Sequence, residues 1–172
     1  MAKSASAARR IRRSIVPHGF RLSDRLIAQK SCPSGAPARA LAASARAGAP
    51  LGHDFCAINL SDNLKPWGTI ERRIRLAAEA DFAIAFYNPR SKSRPDTLDD
   101  AFAVLRATCR DARPVLFARA VSTPDEMLAI VPLPDARGAM ADMRTMVIVG
   151  SSQTRIIARP VAPILYTPRS AS

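Results

Sequence analysis

From position 40 onward, apolar and polar residues fall into short, bounded runs, whereas positions 1–39 mix Ser, Ala, Arg, Pro and Gly with no period. Residues 41–47 are Ala-rich and helix-prone, and Gly48 is a natural stop. Residues 55–60 form an apolar run with the length of a buried strand, closing at Ser61-Asp62. Pro66 suits the first turn of a helix. Trp67, Ile70, Ile74, Ala77 and Ala78 then recur on one helical face, with Glu71, Arg72, Arg73, Arg75 and Glu79 on the wet one. Residues 82–86 predict a second buried strand running into the turn Tyr87-Asn88-Pro89. Asp96 is predicted to cap a helix with Asp99 and Asp100 in its first turn and Leu98, Ala101, Phe102, Leu105 and Cys109 as its buried stripe. Further strands are expected at 115–117, 127–133 and 146–149, with a short one at 164–166 in a Pro-broken tail. Strands that alternate with helices early and cluster late predict an α/β domain with a mixed sheet of about five strands. The division expected is a basic, poorly structured segment at 1–39 and a folded domain at 40–172.

Composition changes this picture little. The 172 residues suit one domain, and 48% of them are apolar, enough for a sizeable core. No apolar run reaches the roughly 18 residues of a membrane span, so a protein without a membrane partner is expected. The formal net charge is +12, yet Asp24 is the only acidic residue among the first 30. The basicity therefore belongs mostly to the N-terminal segment, which could touch nucleic acid or a membrane surface. That segment also mimics a transit peptide, although it lacks the continuous apolar core of a secretory signal. Cys32, Cys56 and Cys109 are odd in number and far apart, so Cys56 and Cys109 are expected as buried free thiols, which fits a reducing cytoplasm. His18 and His53 stand alone, and no metal site is expected.

Candidate chemistry gathers at four strand-to-loop junctions: Ser61-Asp62-Asn63, Tyr87-Asn88-Pro89, Arg119-Ala120 and Gly150-Ser151-Ser152. Ligands of open α/β sheets collect at the carboxyl ends of strands. The same residue types also make ordinary turns, and spacing alone favours that simpler reading. A basic group, Lys65 with Arg90, Lys92 and Arg94, could hold a polyanion or line a solvated loop. No arrangement points to covalent catalysis, and no catalytic residue is named.

Read together and in order, the blocks are more specific. Residues 48–55 (GAPLGHDF) and 60–67 (LSDNLKPW) are followed by Tyr87-Asn88-Pro89-Arg90-Ser91 and by Arg119-Ala120-Val121 with Asp125-Glu126. Asp142-Met143 with Thr145, Gly150-Ser151-Ser152 with Thr154, and Tyr166-Thr167-Pro168-Arg169 complete the series. Over residues 40–170 the chain resembles the tetrapyrrole methylase family, in particular its branch that methylates C17 of a precorrin. The resemblance implies the C-terminal domain of that fold and S-adenosylmethionine as co-substrate. It further implies a precorrin tetrapyrrole as substrate, cobalamin biosynthesis in the cytoplasm, and the family's homodimer. It places cofactor contacts at Tyr87 and Asn88, at Arg119 and Ala120, and at Thr145 and Met146. Ser61 and Asp62 would face the tetrapyrrole, with Lys65, Arg90, Lys92 and Arg94 on its carboxylates. The family's glycine-rich first-domain loops have no counterpart here, and Ala36-Pro37-Ala38-Arg39 stands where the family carries a Thr-Ala pair. The expectation is a second domain without its first, inactive alone. A non-catalytic remnant or a basic RNA-associated module are the alternatives, though no specific nucleic-acid partner is expected.

Overall fold

The computed structural model describes residues 36–52 and 54–168. The expectations for the basic segment up to residue 35, for Cys32 and for both histidines lie outside the described residues.

The chain runs α1 (Ala36–Ala47), β1 (Gly48–Ala49), β2 (Phe55–Asn59), α2 (Trp67–Glu79), β3 (Ala83–Tyr87), α3 (Thr97–Thr108), β4 (Pro114–Arg119) and β5 (Met127–Pro132). Two 3₁₀ turns (Leu133–Asp135 and Gly138–Met140) lead to β6 (Thr145–Val149), β7 (Arg155–Ile157) and β8 (Ile164–Tyr166). The main sheet has the order β2-β3-β6-β4-β5. Only the β2–β3 pair is parallel; β6 runs antiparallel to both β3 and β4, and β5 antiparallel to β4. This is the mixed five-stranded α/β sheet that the pattern predicts. A second sheet, β1-β8-β7, was not foreseen beyond the short strand at 164–166.

Alternation along the strands divides the core into two layers. Ile84, Phe86, Val115, Phe117, Val147 and Val149 face α2 and α3, against Ile70, Ile74, Leu98, Phe102 and Leu105. Ala83, Ala85, Leu116, Ala118, Met146 and Ile148 face the other way, against Ala40, Ala43 and Ala47 of α1 and Leu165 of β8. The small residues on that second face let α1 lie close to the sheet. Phe102 and Phe117 meet edge to face at 6.2 Å, and Arg106 caps the Phe102 ring while its Nε donates to the Leu133 carbonyl.

Two local expectations are corrected. The first helix starts at Ala36, ahead of the Ala-rich stretch at 41–47 expected to form it. Pro37 is tolerated there because first-turn N–H groups have no intrahelical acceptor. Asp96 makes no side-chain cap. The α3 entry is held instead by the Thr97 hydroxyl on the Arg94 carbonyl, and Asp99 turns away to accept the Gly138 N–H at 2.7 Å. Gly48 ends α1 at φ +122°, and its Cα lies so close to the Leu165 carbonyl that a Cβ would collide with it.

Candidate functional site

Because β4 lies antiparallel to β6, and β6 antiparallel to β3, the ends of β2, β3 and β4 and the start of β6 share one rim. Across it, in spatial order, stand Ser61-Asp62, Tyr87-Asn88, Thr145-Met146 and Arg119-Ala120. Four adjacent strands make this rim about 15 Å wide. The fourth junction of the sequence, Gly150-Ser151-Ser152, is not part of it. It follows an antiparallel strand and so lies at the opposite edge, where Gly150 N–H donates to the Pro114 carbonyl at 3.0 Å and Ser152 binds Asp81. Hydroxyls of Thr154 and Thr167 stitch that edge to the Pro50 carbonyl.

At the β2–β3 end, the Ser61 hydroxyl donates to the Asn88 carbonyl at 2.7 Å and its N–H to Asn59 Oδ1 at 3.2 Å. The Asn88 amide reaches the same Asn59 oxygen at 3.4 Å. Asp62 accepts the Leu64 N–H and pairs with Lys65, closing the turn that feeds α2. The Lys65 hydrogen bond chiefly holds the Asp62 carboxyl below the usual carboxylate range. An open cleft of about 360 Å³ runs between β2 and α2, with Asn59, Asp62, Lys65, Arg73, Leu76 and Tyr87 among its walls. Tyr87 thus borders both the cleft and the rim.

At the β4–β6 end, Arg119 Nε donates to Asp142 Oδ2 at 2.7 Å. Asp142 Oδ1 accepts the Thr145 hydroxyl at 2.8 Å and the Arg144 N–H at 2.9 Å. Burial disfavours a charge on Asp142, yet the Arg119, Thr145 and Arg144 hydrogen bonds outweigh it and depress the carboxyl's pKa. The same pair pushes the Arg119 guanidinium up. Asn88 and Ala120, each just past a strand end, have φ of 47° and 49°, in the left-handed region that non-glycine residues seldom adopt. Such backbone costs on the order of 1–3 kcal/mol and gathers at functional sites.

Not every nominated side chain is offered to a ligand. Thr145 and Met146 are each 2% exposed. The Thr145 hydroxyl is committed to Asp142, and Met146 packs beneath α1. The Ala120 N–H donates to the Arg144 carbonyl and its carbonyl accepts from Thr123, so both backbone groups are in use. Of the basic group, Arg90 binds the Pro95 carbonyl at 2.9 Å and Arg94 the Lys65 carbonyl at 2.8 Å, while Lys65 pairs with Asp62. These three hold the 89–96 loop and the α2 entry in shape. Lys92 is exposed and makes no hydrogen bond or ion pair among the described residues. Sequence reasoning gave Asp142 no role; its Asp-x-x-Thr spacing to Thr145 was the available signal. Among the described residues there is no group of three metal-ligating side chains and no helix long and apolar enough to cross a membrane.

Residues 35–137 match the family of Tetrapyrrole (Corrin/Porphyrin) Methylases. The chain is 58% identical over 130 residues to a precorrin-3B C(17)-methyltransferase of Sinorhizobium sp, covering 75% of this chain and 51% of that protein. It superimposes on the crystal structure of the methyltransferase CobJ with a TM-score of 0.69 at 58% identity, over 75% of this chain and 52% of that one. The cobalt precorrin-4 methyltransferase CbiF, at 18% identity and a TM-score of 0.52, shares the fold over 65% of this chain. The chain spans about half the length of the relatives it matches.

Proposed function

This chain belongs to the tetrapyrrole methylase family, and on that premise we propose that its β2–β3–β6–β4 rim is one wall of an S-adenosylmethionine-dependent methyltransferase acting on C17 of a precorrin. The observation that carries the reading is convergence. Ser61-Asp62, Tyr87-Asn88, Arg119-Ala120 and Thr145-Met146 are scattered along the sequence, and the sheet order gathers them on one rim. The two left-handed residues of the site, Asn88 and Ala120, stand on that same rim.

The residues present fit such a co-substrate. Tyr87 is half-buried beside the cleft, Arg119 has both Nη groups unpaired among the described residues, and strained backbone shapes the two strand ends between which a ligand would lie. S-adenosylmethionine supplies an electrophilic methyl group on a sulfonium, which leaves the protein mainly the task of alignment and water exclusion. The rigid strand ends perform the alignment. Lys92, exposed on the loop after β3, offers an unpaired ammonium among the described residues that a precorrin carboxylate could engage, and Arg94 holds that loop in shape.

Calorimetry with S-adenosylhomocysteine tests the reading. The expected result is weak binding by the full chain alone. Affinity should rise when the part of the Sinorhizobium relative outside the matched region is added in trans. Asn88→Ala should weaken that binding more than Arg72→Ala on the exposed face of α2. No binding in either arrangement, or equal effects of the two substitutions, would count against the site.

A further inference from the structure

We propose that Arg119 receives a carboxylate on its two Nη groups and that Asp142 is the residue that positions it. The inference rests on the reading above and sharpens it to named atoms. Arg119 ends β4 on the rim, and it is held by one nitrogen only, Nε on Asp142 Oδ2 at 2.7 Å. The Nη groups make no hydrogen bond among the described residues. A guanidinium fixed through Nε keeps the planar fork that binds a carboxylate in two parallel hydrogen bonds.

An exposed ion pair alone would fix little. Asp142 is different because it is anchored in the sheet. Its other oxygen accepts the hydroxyl of Thr145, a 2%-exposed residue that begins β6, and the Arg144 N–H. Thr145 Oγ1 in turn accepts the Asp142 N–H at 3.1 Å, and the Thr145 N–H returns to the Asp142 carbonyl at 3.0 Å. Thr145 is the register partner of Arg119 in the β4–β6 ladder. The carboxylate thus bridges two adjacent strands and carries the rigidity of the ladder to the guanidinium. The surrounding charges are Asp125 and Arg144, which face each other at 3.5 Å and leave the fork without a competing carboxylate in hydrogen-bond contact.

The carboxylate could come from the amino-acid end of the cofactor or from a tetrapyrrole side chain, and the experiment separates these sources. Arginine side-chain ¹⁵N signals of the full chain would be followed during titration with S-adenosylhomocysteine, with 5′-methylthioadenosine, which lacks the amino acid, and with the octacarboxylate uroporphyrin. A shift of the Arg119 signals with S-adenosylhomocysteine but not with methylthioadenosine supports the proposal with the cofactor as source. A shift with uroporphyrin alone supports it with the tetrapyrrole as source. Asp142→Asn should weaken the responding probe about tenfold, the loss of one charge-assisted hydrogen bond, and Asp142→Glu should restore most of it. Arg119 signals that no carboxylate probe moves would overturn the proposal. If methylthioadenosine still bound in that case, the functional reading would survive it. An Asp142→Asn variant that bound the probe like the parent would overturn the positioning role.

Discussion

Arg46, in the last turn of α1, lays its guanidinium on Glu126, eighty residues away, with Nε 2.8 and 3.1 Å from the two carboxylate oxygens and Nη2 2.7 Å from one of them. Glu126 also accepts the Ser122 N–H at 2.7 Å. The pair fastens α1 to the turn that follows the Arg119-Ala120 strand end, so the layer covering one face of the sheet is tied to the candidate site.

Stability should therefore depend on pH through Glu126. Burial opposes its charge, but Arg46 and the Ser122 N–H outweigh burial and lower the pKa. A carboxyl with a folded pKa below the unfolded value of about 4.3 stabilises above that pH and loses the contribution as pH falls through the folded value. Glu126→Gln should cost about 1 kcal/mol at pH 7. In urea titrations the gap to the parent should close below about pH 4. A gap that stays constant down to pH 3 would contradict the assignment.

Gly48→Ala should destabilise the fold by about 2 kcal/mol or more, because φ of +122° and the Leu165 carbonyl both exclude a Cβ. That carbonyl cannot move aside without breaking the β1–β8 pairing. The urea midpoint would report the loss, and a midpoint within experimental error of the parent's would show that the small sheet is not packed as described.

Cys56 should be slow to react. Burial pushes its thiol up to about 11 and raises the pKa of Cys109 as well. The thiolate is the nucleophile, so alkylation by iodoacetamide in a Cys32→Ser background should be far slower than for a free thiol at pH 8. Rapid labelling of Cys56 in the folded protein would refute this.

Lys92 and Arg94 should part company despite their similar charge. Arg94→Ala removes a hydrogen bond to the Lys65 carbonyl and should lower stability by about 1–2 kcal/mol. Lys92→Ala should leave stability within about 0.5 kcal/mol, as surface changes do. It should, however, weaken binding of a polycarboxylate such as uroporphyrin. Thermal melts and titrations on both variants would check the split, and equal melting losses would defeat it.

Much of the secondary structure was legible because it is local. The stripe from Trp67 to Ala78 and the apolar run ending at Phe86 carry their own period. β7 escaped because all three of its residues are exposed, so no alternation marks it. Candidate residues were legible only in part. Tyr87, Asn88 and Arg119 stand on the rim, whereas the side chains of Thr145 and Met146 are spent on Asp142 and on the core.

The sequence by itself determined the α/β class, the family, and the strand ends at which chemistry could gather. Those depend on residue order and on periods set by the chain's own geometry. Tertiary structure decided which of those ends meet. The direction of β6 is a non-local choice between pairing parallel or antiparallel to β3 and β4, and nothing in residues 145–149 announces it. That choice brings Thr145 beside Arg119 and sends Gly150 to the far edge. Folding also decides which cations remain for a ligand, because Arg94 is drawn to the Lys65 carbonyl, 29 residues away along the chain.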